Sequence, residues 1–168
     1  MMSDRRLEEA IRHFDPPAGT KLWYGGASVL QALRGVRAEV AAWRPYPDRH
    51  SIWGLALHVA YWEYAVWRRL VGAPAGGFSR SPRNFPDVPE PASGDAWEED
   101  RRLVREWHDR LAEAMRAFDP ARLDEVDAPE RSTTYADLIS GIVMHDTYHA
   151  GQIKMLTRLA ASAGVEGV

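Results

Sequence analysis

Proline residues divide this sequence into segments in which apolar residues recur every three or four positions. The Pro-Pro pair at 16–17 ends the first segment, the prolines of 45–47 separate the second from the third, and Asp119-Pro120 ends the fourth. An α-helix with one apolar face has this spacing, and proline cannot continue a helix. The sequence therefore predicts an all-α protein in which a short extra N-terminal helix, Ser3 to Phe14, precedes longer ones.

The four longer segments are predicted to form a four-helix bundle, because each has one apolar stripe to bury. They run from Leu22 to Trp43, from Ile52 to Val71, from Asp95 to Phe118 and from Thr133 to Ala160. The short connection at 44–50 favours an antiparallel pair. The stretch from Gly72 to Gly94 contains five prolines, so a long Pro-rich loop is predicted between the second and third bundle helices, and no strand is expected.

Polar side chains mark the starts of three of these helices. Ser51 can cap the second bundle helix, Asp95 with Glu98 resembles a capping box for the third, and Thr134-x-x-Asp137 resembles one for the fourth.

The composition favours one ordinary globular domain over residues 1–168, with 45% hydrophobic and 27% charged residues. The net charge of −3 offers no general basic field for a phosphate backbone, so nucleic-acid binding is not expected. No signal peptide is recognised and no apolar run is long enough for a membrane span. We therefore expect a cytoplasmic location and no membrane contact. The absence of cysteine leaves His, Asp, Glu and carbonyl oxygens as metal ligands.

Three histidines are predicted to point into the bundle. His145 and His149 are four residues apart on the apolar face of the last helix, so their rings lie one turn apart. His58 lies on the apolar face of the second bundle helix. A lone inward histidine usually bonds to a nearby acceptor, but two imidazoles on one turn would compete for acceptors, whereas one cation satisfies both. The sequence thus predicts a three-histidine metal site with coordination positions left open.

Other residues near the site have two interpretations each. Gln152 could hold a bound water or substrate, or span a helix contact, and Tyr148 could donate a proton or simply lie at the surface. Glu63 is either a carboxylate behind the ligands or a surface charge, and His108 is the inward residue that could close the site as a fourth ligand. The pattern His145-Asp146-x-x-His149 matches the H-E-x-x-H pattern of metalloproteases only weakly, because Asp stands where the general base would be.

The aromatic residues around His58 could wall a pocket or form core and dimer contacts; they are Trp53, Tyr61, Trp62, Tyr64 and Trp67.

Two stretches resemble the DinB/YfiT-like superfamily of metalloenzymes. They are Ser51-Ile-Trp-Gly-Leu-Ala-Leu-His58-Val-Ala-Tyr-Trp-Glu63 and His145-Asp-Thr-Tyr-His149-Ala-Gly-Gln152-Ile. The resemblance extends in helix order from about Leu22 to Leu159. It implies a DinB/YfiT-like four-helix bundle, a metal-binding triad of His58, His145 and His149, and a homodimer.

The resemblance also implies a range of functions, because some relatives are metal-dependent thiol S-transferases or isomerases that use a low-molecular-weight bacterial thiol. We therefore expect one divalent ion, with zinc, nickel and iron all suited to imidazole ligands, and a small-molecule substrate with such a thiol. The alternative is a non-catalytic or stress-related bundle in which the metal is structural and the aromatic surface serves dimerisation.

Overall fold

Three long helices make up most of the helical part of the molecule. In the computed structural model, which describes residues 4–23, 25–128 and 130–165, they are α4 (Ile52–Leu70), α5 (Gly94–Ala117) and α6 (Tyr135–Ser162). Three shorter helices precede them, α1 (Arg5–Phe14), α2 (Val29–Ala32) and α3 (Ala38–Ala42), and a 3₁₀ turn lies at Pro120–Arg122. The described residues form no strand beyond one isolated bridge between Val126 and Thr134. The predicted all-α class is confirmed.

Two of the three predicted helix starts have the expected caps. The Ser51 hydroxyl accepts a hydrogen bond from the Gly54 N–H, and Thr134 and Asp137 form a reciprocal capping box at the start of α6. The predicted capping box at Asp95 is wrong. Helix α5 begins one residue earlier because the Ser93 hydroxyl caps it, and Glu98 instead pairs with Arg101 one turn along.

The predicted continuous helix from Leu22 to Trp43 is also wrong. Helices α2 and α3 together cover only part of this stretch, and a turn separates them. In the turn Gly35 has φ +76°, a left-handed conformation that glycine adopts without steric cost. The Val36 carbonyl accepts a hydrogen bond from the Trp97 indole at 2.8 Å, so it is bonded outside any helix. The apolar spacing of this segment nevertheless identified buried residues, since Leu22, Leu33 and Val36 are all buried.

The core consists of two clusters of buried side chains along the long helices. One cluster surrounds Trp53 and Trp97 and packs α2 and α3 against the bundle, and the other surrounds Leu111 and Ile139. Helix α1 joins the second cluster through Leu7 and Phe14 and packs against α5 and α6. Helix α4 contacts both α5 and α6, which brings His58 beside the histidines of α6.

The connection from α4 to α5 contains no helix or strand over residues 71–93 and is attached to the bundle at several points. The Tyr64 hydroxyl accepts hydrogen bonds from the N–H groups of Gly76 and Gly77, both at 2.9 Å. Further along, Arg80 pairs at 2.8 Å with the buried carboxylate of Asp100. These attachments lead the connection back across α4 to the level of His58.

None of the helices in the described part of the chain combines the length and apolar character needed to cross a lipid bilayer.

Candidate metal centre

Three histidine rings meet between α4 and α6. The Nε2 atoms of His58 and His145 are 3.0 Å apart, and His149 lies one helical turn from His145 with its ring centroid 4.4 Å from that of His145. One nitrogen from each ring lies within 4.8 Å of the other two. The structure therefore brings together the three histidines that the sequence indicated.

Each ring turns its other nitrogen, Nδ1, toward an oxygen. The pairs are His58 Nδ1 with the Asn84 carbonyl at 2.7 Å, His145 Nδ1 with Asp146 Oδ1 at 2.9 Å, and His149 Nδ1 with Gln152 Oε1 at 2.6 Å. Because a carbonyl oxygen or a carboxylate only accepts, each Nδ1 carries the proton and each Nε2 keeps a free lone pair. Metal-binding histidines in proteins have this arrangement of outer acceptors.

The convergence of the Nε2 atoms is the observation that tests whether a metal ion fits. Two lone pairs that face each other at 3.0 Å repel unless a cation lies near them. Three nitrogens, each about 2.0–2.1 Å from one tetrahedral zinc ion, would be about 3.3 Å apart. The 3.0 Å between His58 and His145 is close to this value, and one nitrogen from each of the three rings lies within 4.8 Å of the others, so the three side chains fit one divalent ion.

Burial keeps two of the three histidines, His58 and His149, neutral. Removal from water lowers the pKa of His58 to about 4, although the hydrogen bond to the Asn84 carbonyl opposes the change. Burial also lowers the pKa of His149. Both rings are therefore unprotonated near pH 7, as metal binding requires.

The long connection contributes two residues that the sequence did not indicate. Asn84, at φ +72°, supplies the carbonyl that orients His58, and its side-chain oxygen accepts a hydrogen bond from the Trp62 indole at 2.8 Å. Phe85 stacks on the His58 ring, with centroids 4.0 Å apart and an angle of 11° between the ring planes. The Phe85 ring also stacks with the ring of His50. An Asn-Phe pair among prolines has no pattern that predicts these contacts.

Gln152 and Tyr148 lie at the outer edge of the cluster. The Gln152 amide oxygen accepts from His149, and the amide nitrogen donates to the Tyr148 hydroxyl at 3.0 Å. Gln152 thus orients a ligand, and Tyr148 has 63% of its surface exposed.

Glu63 is fully buried, so its interpretation as a surface charge is wrong. Its Oε1 lies 3.0 Å from His108 Nδ1, and its carboxyl group is within hydrogen-bonding reach of Asp146, the partner of His145. Burial raises the pKa of Glu63 well above 4.5, and burial followed by the charge of Glu63 raises that of Asp146. Glu63 Oε2 and Asp146 Oδ2 are buried and have no hydrogen-bond partner among the described residues. A proton retained by either carboxyl group would turn one of these acceptors into a donor.

His108 does not join the histidine cluster. Its ring stacks on Phe14 with centroids 4.3 Å apart and bonds to Glu63, so it is not the fourth ligand that would close the site. Within the described residues the cluster has three members and no fourth His, Asp or Glu.

The aromatic residues near His58 divide between the core and the rim of the site. Trp53 is fully buried and donates to Asp100, and Tyr64 holds the connection. Trp62 is 37% exposed and lies at the rim, with its ring centroid 6.2 Å from that of His145.

Comparison with known proteins adds the family. The sequence model of the DinB superfamily matches residues 23–153. The chain belongs to the DinB superfamily. The DinB match includes all three histidines of the cluster and Gln152, and it leaves α1 outside. Neither a search of curated proteins nor a search of solved structures found a match.

Proposed function

We propose that the chain binds one divalent metal ion through Nε2 of His58, His145 and His149 and transfers a low-molecular-weight thiol to an electrophile. The observation that carries the metal part is the convergence of three Nε2 lone pairs whose rings are each held by an acceptor at Nδ1. Zinc, nickel and iron are all suited to this donor set.

The open side of the cluster supports a catalytic role. His145 keeps 24% of its side chain exposed, whereas His58 and His149 are buried, so solvent reaches the cluster beside His145. Three protein ligands leave coordination positions for water or substrate, as catalytic sites require, whereas structural zinc sites are closed by four.

The thiol must come from another molecule, because the chain contains no cysteine. A divalent ion held there would lower the pKa of a bound thiol and so supply a thiolate near neutral pH. In the proposed transfer the sulfur lone pair forms a bond to the electrophilic carbon as the bond from carbon to a leaving group such as halide breaks. The thiol proton passes to solvent and the halide departs with the bonding electron pair.

The chain's own residues would prepare this reaction by orientation. Gln152 holds His149, so we assign it a positioning role. The Tyr148 hydroxyl oxygen accepts from Gln152, which leaves the hydroxyl hydrogen free to donate to a substrate oxygen. Tyr148 is therefore the proposed hydrogen-bond donor that orients the substrate, and it keeps its proton in this transfer.

Metal content tests the ligand assignment. Protein purified without a histidine tag and dialysed against zinc should contain about one zinc ion per chain. Inductively coupled plasma mass spectrometry measures the zinc content. His149→Ala should weaken zinc binding at least about tenfold, whereas His13→Gln, on α1 and outside the cluster, should not. Equal zinc affinity of His149→Ala and the wild type would show that the ligand assignment is wrong.

Turnover tests the reaction. The metal-loaded chain is incubated with 1-chloro-2,4-dinitrobenzene and a panel of low-molecular-weight thiols, and formation of the thioether is followed by absorbance. We expect transfer with at least one thiol, which a chelator stops and added metal restores. Absence of metal-dependent transfer across the panel would contradict the thiol-transferase assignment while the metal site could stand.

A further inference from the structure

An apolar cleft opens directly beside the exposed edge of the histidine cluster. It has a volume of about 240 Å³ and lies between α4 and α6. Trp62 and Val66 form its wall on α4, and Leu138, Gly141 and Ile142 form its wall on α6. His145 lines the end nearest the metal centre, so the cleft and the centre share a side chain.

The charged groups at the far end of the cleft already have partners. Arg69 Nε bonds to Asp127 at 2.5 Å, and Asp127 is 2% exposed. The Asp137 carboxylate accepts from the N–H and the hydroxyl of Thr134 in the cap of α6. The Arg69 charge is thus paired with Asp127, whereas Asp137 remains an exposed carboxylate at the rim. A charged group placed between the apolar walls would lose its own hydration, whereas an apolar group loses little.

Gly141 keeps the cleft open. It lies in the interior of α6, where glycine is less favourable than any residue except proline. A Cβ atom built on Gly141 has no other atom within 4 Å, so no packing contact requires a glycine there. A larger side chain at position 141 would occupy the space of the cleft.

The polar N–H group of Trp62 also has a partner. Its indole N–H donates to Asn84, so the ring presents its carbon surface to the cleft. The cleft is larger than the roughly 150 Å³ cavity that holds benzene in a protein core, so one aromatic ring with a substituent fits.

We infer that this cleft binds the uncharged apolar part of the electrophile, an aryl or branched alkyl group, and presents the reactive carbon to the centre at His145. The inference rests on the proposed thiol transfer, because that reaction makes the bound molecule a substrate. Its occupant is set by the apolar lining and by the continuity with the histidine cluster.

Binding is tested without any reaction. The zinc-loaded chain is titrated with 4-fluorotoluene and followed by fluorine NMR, in parallel with 4-fluorobenzenesulfonate and 4-fluorobenzylamine. We expect the uncharged arene to bind at least about tenfold more tightly than either charged one. Equal or tighter binding of a charged arene would overturn the inference.

Gly141→Leu fills the cleft and should weaken 4-fluorotoluene binding at least about tenfold. Gly151→Leu is the matched control. Gly151 is also an exposed glycine of α6, and a Cβ atom built on it meets no atom within 4 Å. It lies ten residues further along the helix and does not line the cleft. It should leave arene binding unchanged within about twofold. Both replacements raise helix propensity, so both variants should fold, and circular dichroism and zinc content verify that they do.

The outcomes separate this inference from the proposed function. If Gly141→Leu abolishes arene binding and no thiol is ever transferred, the cleft is correct and the thiol-transferase assignment fails. If thiol transfer occurs and Gly141→Leu leaves the KM for the aryl halide unchanged, the cleft inference is wrong. A change in oligomeric state of Gly141→Leu without loss of arene binding would mean that the cleft is an interface between copies, which also overturns it.

Discussion

Asn84 holds two side chains of α4 although it belongs to no helix. Its carbonyl accepts from His58 and its side-chain oxygen accepts from Trp62, one turn further along. Its φ of +72° lies in the left-handed region, which asparagine tolerates better than most residues and β-branched residues avoid. The orientation of His58, one of the three proposed ligands, therefore depends on the backbone conformation of a single loop residue.

Substitution of Asn84 should separate the role of its backbone from that of its side chain. Asn84→Val disfavours the positive φ and turns the carbonyl away from His58, so zinc affinity should fall about 10–100-fold. Asn84→Gly retains the conformation and the carbonyl and should change the affinity by less than about threefold. Competition with a zinc-binding dye measures both. Wild-type affinity of Asn84→Val would mean that the carbonyl does not orient His58.

At the scale of elements, the stretch from Leu22 to Trp43 shows how an apolar pattern can identify buried residues and still misplace a helix. Leu33 and Val36 keep the helical spacing of three although the turn at Gly35 lies between them. The turn is completed by Trp97, on α5 and 61 residues away from Val36. Spacing along the chain carries no information about such a distant donor.

Gly35→Ala tests the need for this turn. The added Cβ meets no atom within 4 Å, so the cost is conformational and the free energy of unfolding should fall by about 1–2 kcal/mol. Gly94→Ala, at the start of α5 and equally uncrowded, should be neutral or stabilising by up to about 1 kcal/mol. Urea denaturation measures both. Equal stabilisation by the two substitutions would contradict a required left-handed conformation at Gly35.

The histidine cluster was more predictable than its surroundings. The four-residue spacing of His145 and His149 and the apolar face of His58 are local patterns, and they identified the cluster. The acceptor of His58 is 26 residues away in a segment without periodicity, so it could not be predicted. The two interpretations of Glu63 could not be separated for a similar reason, because its partners Asp146 and His108 lie on other helices.

At the scale of the whole molecule, a chain of polar groups crosses the interior from the metal centre toward α1. His145 bonds to Asp146, Asp146 reaches Glu63, Glu63 bonds to His108, and His108 Nε2 lies 3.7 Å from Asp15 after α1. Burial raises the pKa of Glu63 and lowers that of His108. Stability should therefore depend on pH in two opposite ways.

The sign of each contribution follows from which state binds more protons. Above pH 4.5 the unfolded chain releases the Glu63 proton and the folded chain retains it, so the free energy of unfolding falls as pH rises. Below pH 6.5 the unfolded chain protonates His108 and the folded chain does not, so stability falls as pH decreases. The two effects oppose each other between pH 4.5 and pH 6.5, so stability should be highest in that range.

Glu63→Gln isolates the first contribution. Glutamine keeps an acceptor for His108 and a donor for Asp146 but cannot ionise. The free energy of unfolding of the variant minus that of the wild type should therefore be larger at pH 8 than at pH 5. Urea denaturation with excess chelator present measures both. Glu113→Gln, an exposed position on α5, should show no such change. A stability difference that is constant from pH 5 to pH 8 would argue against a proton retained by Glu63.

The position of the three ligands also concerns how long the folded chain persists. His58 and His145 are 87 residues apart in the sequence and belong to different helices, so a cation between them would be a cross-link that closes a long loop. An ion that binds only the folded arrangement stabilises it by mass action, by about 2.7 kcal/mol at a free concentration of 100 times its Kd. The lifetime of the folded chain would then follow the metal supply of its surroundings.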